Sequence, residues 1–375
     1  MQDCFFYEEG YKKYVRFAQN KDFKLESGKY FGPIDVAYET YGTINDKKNN
    51  IILITHALTG DSHVAKHSEE DEKLGWWDKF VGPGKIFDTN KYFIICSNVL
   101  GGCQGTTGPS SISEDGKPYG IRFPIITIKD MVNVQKKLLD CLNIEHIHCV
   151  VGGSMGGMQA LEWAVSYPDF MDGVINIASP LRLNPQSIAF NEVMRRAIMS
   201  DPNWKNGDYY GDDIPQNGLS IARMIGMITY QSDVLMEKKF NRRTKDPIET
   251  FFDSFNTEFE VESYLHYQGL KLVQRFDANT YLYLTRAMDL FDFEREYGSI
   301  ENALKRIKAK FLLVAITSDI LFPLSQMRQT RDELLKYGVK LYYNEIESDY
   351  GHDSFLVEDN KFRPILSDFL DELDK

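Results

Sequence analysis

The hexapeptide Gly152-Gly153-Ser154-Met155-Gly156-Gly157 fits the pattern G-x-S-x-G. That spacing makes a serine a nucleophile when a strand precedes it and a helix follows. The run Ile147 to Val151 supplies the strand, and the segment from Met158 supplies the helix. On so sharp a turn, a Cβ at the glycine positions would meet the neighbouring strand and helix backbones. The turn exposes the serine hydroxyl at the carboxyl edge of a sheet and aims the next amide, that of Met155, at a developing oxyanion. The competing reading is a glycine-rich turn that binds phosphate; strand and helix together favour the nucleophile.

A serine nucleophile needs a base, and the base needs a carboxylate to orient it. Only His266 and His352 follow Ser154 in the chain. His266 lies in Tyr264-Leu265-His266-Tyr267, within a helical stretch where a packed or surface imidazole is the better reading. His352, in Tyr350-Gly351-His352-Asp353, follows the run Leu341 to Ile346, and Asp319 follows Phe311 to Ile316. Alone, such an acidic residue reads as a solvated loop charge or a helix cap. Serine, acid and histidine in that order, each at a strand end, read as a triad. The second oxyanion donor belongs in the loop after an early strand, here His56-Ala57-Leu58-Thr59-Gly60, and the Leu58 amide is the candidate.

Other clusters suggest chemistry less well. His56, His63 and His67 fall within a dozen residues, but their intervals suit one helix face only for the second pair, and Gly60 breaks helical continuity; we expect no metal. The stretch Gly101 to Gly108 lacks the P-loop lysine, and Gly82-Pro83-Gly84-Lys85 lacks the leading loop. Five cysteines, an odd number with no CxxC pair, predict neither a disulfide framework nor a zinc site.

The elements that must position the triad follow from hydrophobic patterning. Ile51 to Thr55, Tyr92 to Cys96, Ile147 to Val151, Gly173 to Ala178, Phe311 to Ile316 and Leu341 to Ile346 are short runs bounded by turn residues. Most are continuously apolar, as in strands covered on both faces of a parallel sheet. Met131, Val134, Leu138 and Leu142 recur at helical spacing between two of them, so the chain reads as an α/β layered fold. Between Ser179 and Ala309 no comparable strand run occurs. Asn184-Pro185 there offers an N-cap followed by a first-turn proline, and Phe190, Val193, Met194 and Ala197 continue with helical periodicity. We expect a core formed by residues 1–179 and 310–375, with a helical insertion at 180–309. The formal charge of −12 over 375 residues, without a Lys/Arg run, argues against a nucleic-acid or anionic-membrane partner. No segment reaches the roughly 18 apolar residues of a membrane helix. The N-terminus lacks a signal-peptide pattern, so a cytoplasmic protein is expected.

The chain resembles the homoserine O-acetyltransferases of the α/β-hydrolase fold. The likeness runs along nearly the whole sequence: Tyr38-Glu39-Thr40-Tyr41-Gly42, His56 to Asp61, Gly75-Trp76-Trp77-Asp78, Ser97 to Cys103, Thr107 to Ser111, Gly156 to Trp163, Ala222-Arg223-Met224-Ile225, Arg275 to Asn279, Ser318 to Pro323 and Tyr350 to Leu356. It implies a mostly parallel sheet flanked by helices, a triad of Ser154, Asp319 and His352 beneath a helical lid, and a homodimer through the lid helices. It also implies that Arg223, Tyr230 and Asp353 bind homoserine, and a guanidinium and a carboxylate do suit a zwitterionic amino acid. The chain departs from the family where Gly-His-Ile-Thr-Tyr becomes Gly226-Met227-Ile228-Thr229-Tyr230.

The implied reaction is a ping-pong transfer of acetyl from acetyl-CoA, a co-substrate, through acyl-serine to L-homoserine, a step of methionine biosynthesis with no permanently bound cofactor. The alternatives are homoserine O-succinyltransferase or serine O-acetyltransferase on the same scaffold, a plain esterase or thioesterase, and a catalytically inactive binding protein of this fold.

Overall fold

The structure is a computed structural model that describes residues 4–211, 213–245 and 259–375. Nine strands form its central sheet. They are β1 (Phe5–Glu9), β2 (Lys12–Phe17), β3 (Ile34–Tyr41), β4 (Ile51–Thr55), β5 (Phe93–Ser97), β6 (Ile147–Gly153), β7 (Met171–Ile177), β8 (Lys310–Ile316) and β9 (Leu341–Ile346). Their order is β1-β2-β3-β5-β4-β6-β7-β8-β9. The β1–β2, β2–β3 and β3–β5 pairs are antiparallel, and every pair from β5 onward is parallel.

The parallel strands are the apolar runs of the sequence, and their alternation divides the core in two. Val150 of β6 joins the cluster on one face, with Met131 and Leu138 of α1 (Ile128–Cys141) and Met158 and Leu161 of α2 (Met155–Ser166). Its neighbours Cys149 and Val151 join the cluster on the other face. That second cluster also holds Phe362, Leu366 and Phe369 of the C-terminal helix, Asp359–Leu373. Period-two side-chain direction produces the division. The antiparallel strands β1 to β3 show no continuous apolar run; β1 is exposed throughout, and so the patterning missed it.

Between β7 and β8 the described residues are helical: α3 (Pro185–Ser200), α4 (Gln216–Tyr230), α5 (Asp233–Phe240), α6 (Glu260–Val273), α7 (Ala278–Leu290), α8 (Phe293–Tyr297) and α9 (Ile300–Leu304). Part of the expected insertion, residues 246–258, lies outside the described residues. The predicted cap at α3 is present: the Asn184 side chain accepts the Ser187 amide at 2.8 Å, with Pro185 in the first turn. Further helices are α10 (Leu324–Lys336), α11 (Ser354–Val357) and α12 (Asp359–Leu373).

One expectation is overturned. Cys4 and Cys141 form a disulfide across 137 residues of sequence, while Cys96, Cys103 and Cys149 are free. Spacing rules recognise CxxC pairs and short frameworks and say nothing about a bond from the segment before β1 to the end of α1. Among the described residues no helix is long and apolar enough to cross a membrane.

Candidate active site

The carboxyl ends of β4, β6, β8 and β9 point to one edge of the sheet, and each is followed by a segment carrying a predicted site residue. Such an edge is where an open α/β sheet builds its sites. Ser154 follows β6 directly. Its backbone sits at φ 58°, ψ −125°, a conformation costly for a residue with a Cβ. Packing holds it there. A Cβ on Gly156 would lie 2.1 Å from the Thr55 carbonyl oxygen, and one on Gly153 would lie 2.6 Å from the Phe355 ring. Thr55 fastens the turn from below, its hydroxyl donating to the carbonyls of Val151 and Gly156 at 3.1 and 2.8 Å.

His352 and Asp319 arrive from the neighbouring strand ends. His352 Nδ1 lies 2.6 Å from Asp319 Oδ2, and both side chains are buried. His352 Nε2 is buried and has no hydrogen-bond partner, which leaves it free for the serine side of the cavity. Phe322 and Phe355 meet the imidazole edge-on, with centroids 5.0 and 5.6 Å away. Burial opposes a charge on His352, but the Asp319 charge and hydrogen bond, joined by Asp353, outweigh it and raise the imidazole pKa.

Ser154 and His352 line one cavity of about 100 Å³, together with Leu58, Arg223, Tyr230 and Asp353. Its walls are otherwise largely apolar, including Leu183, Met194, Met288 and Leu321. Met155 is fully buried and does not line the cavity with its side chain; its contribution is the first amide of α2, which has no intrahelical acceptor. Neither that amide nor the Leu58 amide donates to another backbone group among the described residues.

The Leu58 loop is held by contacts that sequence reasoning missed. His56 Nε2 accepts the Val99 amide at 3.1 Å, so its proton is on Nδ1, which donates to the Ala57 carbonyl at 2.8 Å. Burial keeps this imidazole neutral by lowering its pKa. Gln159 donates to the His56 carbonyl and Arg275 to the Thr59 carbonyl, at 3.1 and 2.9 Å. Arg275 belongs to a quoted motif, but nothing in one sequence says that it reaches back 216 positions to this loop.

At the other end of the cavity the Arg223 guanidinium lies 5.7 Å from the Tyr230 ring centre, and Tyr230 lies 6.0 Å from the His352 ring. Burial raises the Asp353 pKa, opposed by the charges of Arg223 and His352. Met227, the departure from the family pattern, is buried within α4 and is not among the residues lining the cavity. His266 is exposed on α6, away from the cavity. Of the histidine cluster, His63 and His67 converge on Glu39, and His56 turns away from them.

Residues 50–359 match the family model described as alpha/beta hydrolase fold. The chain is 57% identical over 347 residues to a homoserine O-acetyltransferase of Methanohalobium evestigatum, covering 92% of this chain and 71% of that protein. It is 54% identical over 365 residues to the homoserine O-acetyltransferase of Deferribacter desulfuricans, covering 96% and 95%. Among solved structures, homoserine O-acetyltransferase from Bacillus anthracis superposes with a TM-score of 0.89 at 31% identity, covering 96% of this chain and 97% of that one. Esterase E22 superposes with a TM-score of 0.88, also at 31% identity, covering 96% and 99%.

Proposed function

The chain belongs to the homoserine O-acetyltransferase family of the α/β-hydrolase fold, and from that premise we propose a two-step acyl transfer in which Ser154, His352 and Asp319 carry acetyl from acetyl-CoA to L-homoserine. The observation that carries the proposal is the shared cavity: a serine on strained backbone and a histidine with an unpartnered Nε2, closed in with one guanidinium and one carboxylate.

In the first step His352 Nε2 takes the Ser154 proton as Oγ attacks the thioester carbonyl. The amides of Leu58 and Met155 hold the oxyanion; the C–S bond then breaks, and His352 returns the proton to the departing thiolate. In the second step homoserine occupies the cavity, with Arg223 on its carboxylate and Asp353 on its ammonium. His352 takes the side-chain hydroxyl proton, the new C–O bond forms, and the ester to Ser154 breaks with Oγ reprotonated. A cavity of about 100 Å³ suits an amino acid and is far too small for a coenzyme as well, which favours substrates that enter in turn. Apolar walls keep water scarce, and a bound, oriented hydroxyl gains an effective molarity of roughly 10⁵ M or more, so transfer outruns hydrolysis.

A brief exposure to acetyl-CoA followed by mass spectrometry should show one added acetyl group, lost in Ser154→Ala. CoA release should then depend on homoserine. Release at the same rate without any acceptor would instead support hydrolysis, the reading favoured by the likeness to esterase E22. A preference for succinyl-CoA or serine in the same assay would overturn the choice of substrates.

The proposal extends to helices α3 to α7 as a lid and to a homodimer formed through it in the cytoplasm. Val193, Ile221, Ile228 and Leu270 on these helices are exposed, and a contact between two copies would remove their apolar surface from water. Light scattering of the purified chain tests the dimer.

A further inference from the structure

Away from the cavity, the side chain of Glu39, on β3, meets two imidazoles of the loop that follows β4. His63 Nδ1 lies 2.9 Å and His67 Nε2 2.8 Å from Glu39 Oε2, and the three ligand atoms all fall within 4.8 Å of one another. The three side chains are 3%, 9% and 10% exposed. Ser62 donates to Glu39 Oε1 at 3.1 Å, and Tyr41 donates to Oε2 at 3.0 Å. One carboxylate oxygen is therefore faced by three polar side-chain atoms, while the other has a single donor.

The donor count at His63 is the decisive feature. Its Nε2 faces the Lys73 carbonyl oxygen at 2.9 Å, and a carbonyl only accepts, so Nε2 carries a proton. In a neutral ring Nδ1 is then a bare lone pair, aimed at a carboxylate oxygen 2.9 Å away. Two acceptors at that distance require a positive centre between them, either a bound cation or a second ring proton. His67 is equally well placed: its ring is stacked between Tyr11 and Tyr41, at 4.2 and 4.4 Å, which fixes the direction of Nε2. A histidine whose second nitrogen donates to a backbone carbonyl is the usual orientation of a metal ligand.

We propose that Glu39 Oε2, His63 Nδ1 and His67 Nε2 hold a divalent cation of the zinc class. Two imidazoles and one carboxylate suit zinc and its neighbours better than magnesium or calcium, which take oxygen ligands. Zinc bonds of about 2.0–2.2 Å at tetrahedral angles place ligand atoms roughly 3.3 Å apart, so the two nitrogen–oxygen separations of 2.9 and 2.8 Å need to open by only a few tenths of an ångström. Asp71, whose Oδ2 accepts the His67 amide at 3.2 Å and lies 3.8 Å from His63 Nε2, flanks the site. The cation would tie the far end of the loop carrying Leu58 to β3, while His56 and Arg275 hold its near end.

The test uses the untagged full chain, loaded with Zn²⁺, passed through gel filtration and analysed for bound metal. Wild type should retain about one equivalent, and chelation should lower Tm reversibly. His67→Ala, and independently Glu39→Gln, should lose at least about tenfold of the retained metal while Ser154 is still acetylated by acetyl-CoA. A Co²⁺-loaded sample should show the visible absorption of a low-symmetry site. Wild type that retains no zinc and is indifferent to chelator would overturn the proposal, leaving a protonated His63 between Glu39 and Lys73. Metal retained equally by both variants would overturn it as well.

Discussion

Asp319 divides its two carboxylate oxygens between separate tasks. Oδ2 lies 2.6 Å from His352 Nδ1, and Oδ1 accepts the amides of Leu321 and Phe322, each at 2.9 Å. The amides orient the carboxylate, the carboxylate places the Nδ1 proton, and the opposite ring nitrogen is left without a hydrogen-bond partner.

That division makes Asp319→Asn informative. The two amides require an acceptor, so the asparagine carbonyl takes the place of Oδ1 and its NH₂ faces His352 Nδ1. The ring proton then moves to Nε2, where it blocks proton removal from Ser154. Rates of CoA release should fall on the order of 10⁴-fold, as in serine-protease triads given the same exchange, with Tm little changed. A variant that acylates at the wild-type rate would refute the tautomer argument.

The pH dependence follows from the direction of the His352 shift. The imidazole acts as a base only when neutral, and the Asp319 charge, its hydrogen bond and Asp353 together raise its pKa despite burial. Raising the pKa carries the protonated, inactive form to higher pH. In single-turnover acylation without homoserine, the rate should therefore fall as pH drops, along a limb centred above about 6.5, the ordinary imidazole value. Asp353→Asn removes one of the charges and should move that limb to lower pH; no displacement would show that Asp353 does not act on the base.

The strand-end positions of Ser154 and Asp319 were legible because each follows a run covered on both faces, which patterning detects best; the strand before His352 is only partly buried and was read from its β-branched and aromatic residues. The N-cap at Asn184 was legible for a local reason as well, since cap and partner are three residues apart. What escaped the sequence depends on distant pairings. The Cys4–Cys141 bond spans 137 positions, and Arg275 anchors Thr59 from the insertion. The histidine cluster was judged by helix spacing alone, and Glu39, which comes from a strand and gathers two of the three rings, has no place in that test.

The glycines of the turn should differ in cost. An alanine Cβ at Gly156 would lie 2.1 Å from the Thr55 carbonyl oxygen, and its nearest neighbours are all backbone atoms of Thr55 and His56, which have little room to yield. Gly156→Ala should lose about 3 kcal/mol or more in urea denaturation. Gly153→Ala would instead press on the Phe355 ring at 2.6 Å, and that ring packs edge-on against His352. It should cost about 1–3 kcal/mol of stability and slow acylation as well, through a displaced base. Equal stability losses with acylation unchanged in Gly153→Ala would separate Phe355 from the positioning of His352.

Arg223 tests the acceptor half of the reaction separately from the donor half. Its guanidinium lines the cavity near Tyr230 and acts electrostatically on Asp353, but it has no part in removing the serine proton. In Arg223→Ala, the burst of CoA release that forms acetyl-serine should remain within about threefold of wild type, while KM for homoserine rises roughly 10–100-fold, the worth of a charge-assisted pair with a carboxylate. Arg223→Lys keeps the charge but not the two-pronged geometry and should recover only part of the loss. An alcohol without the amino-acid carboxylate, tested as acceptor, should respond little to either change. If the burst itself collapses in Arg223→Ala with the fold intact, the arginine serves the donor, and the assignment of this end of the cavity to homoserine fails.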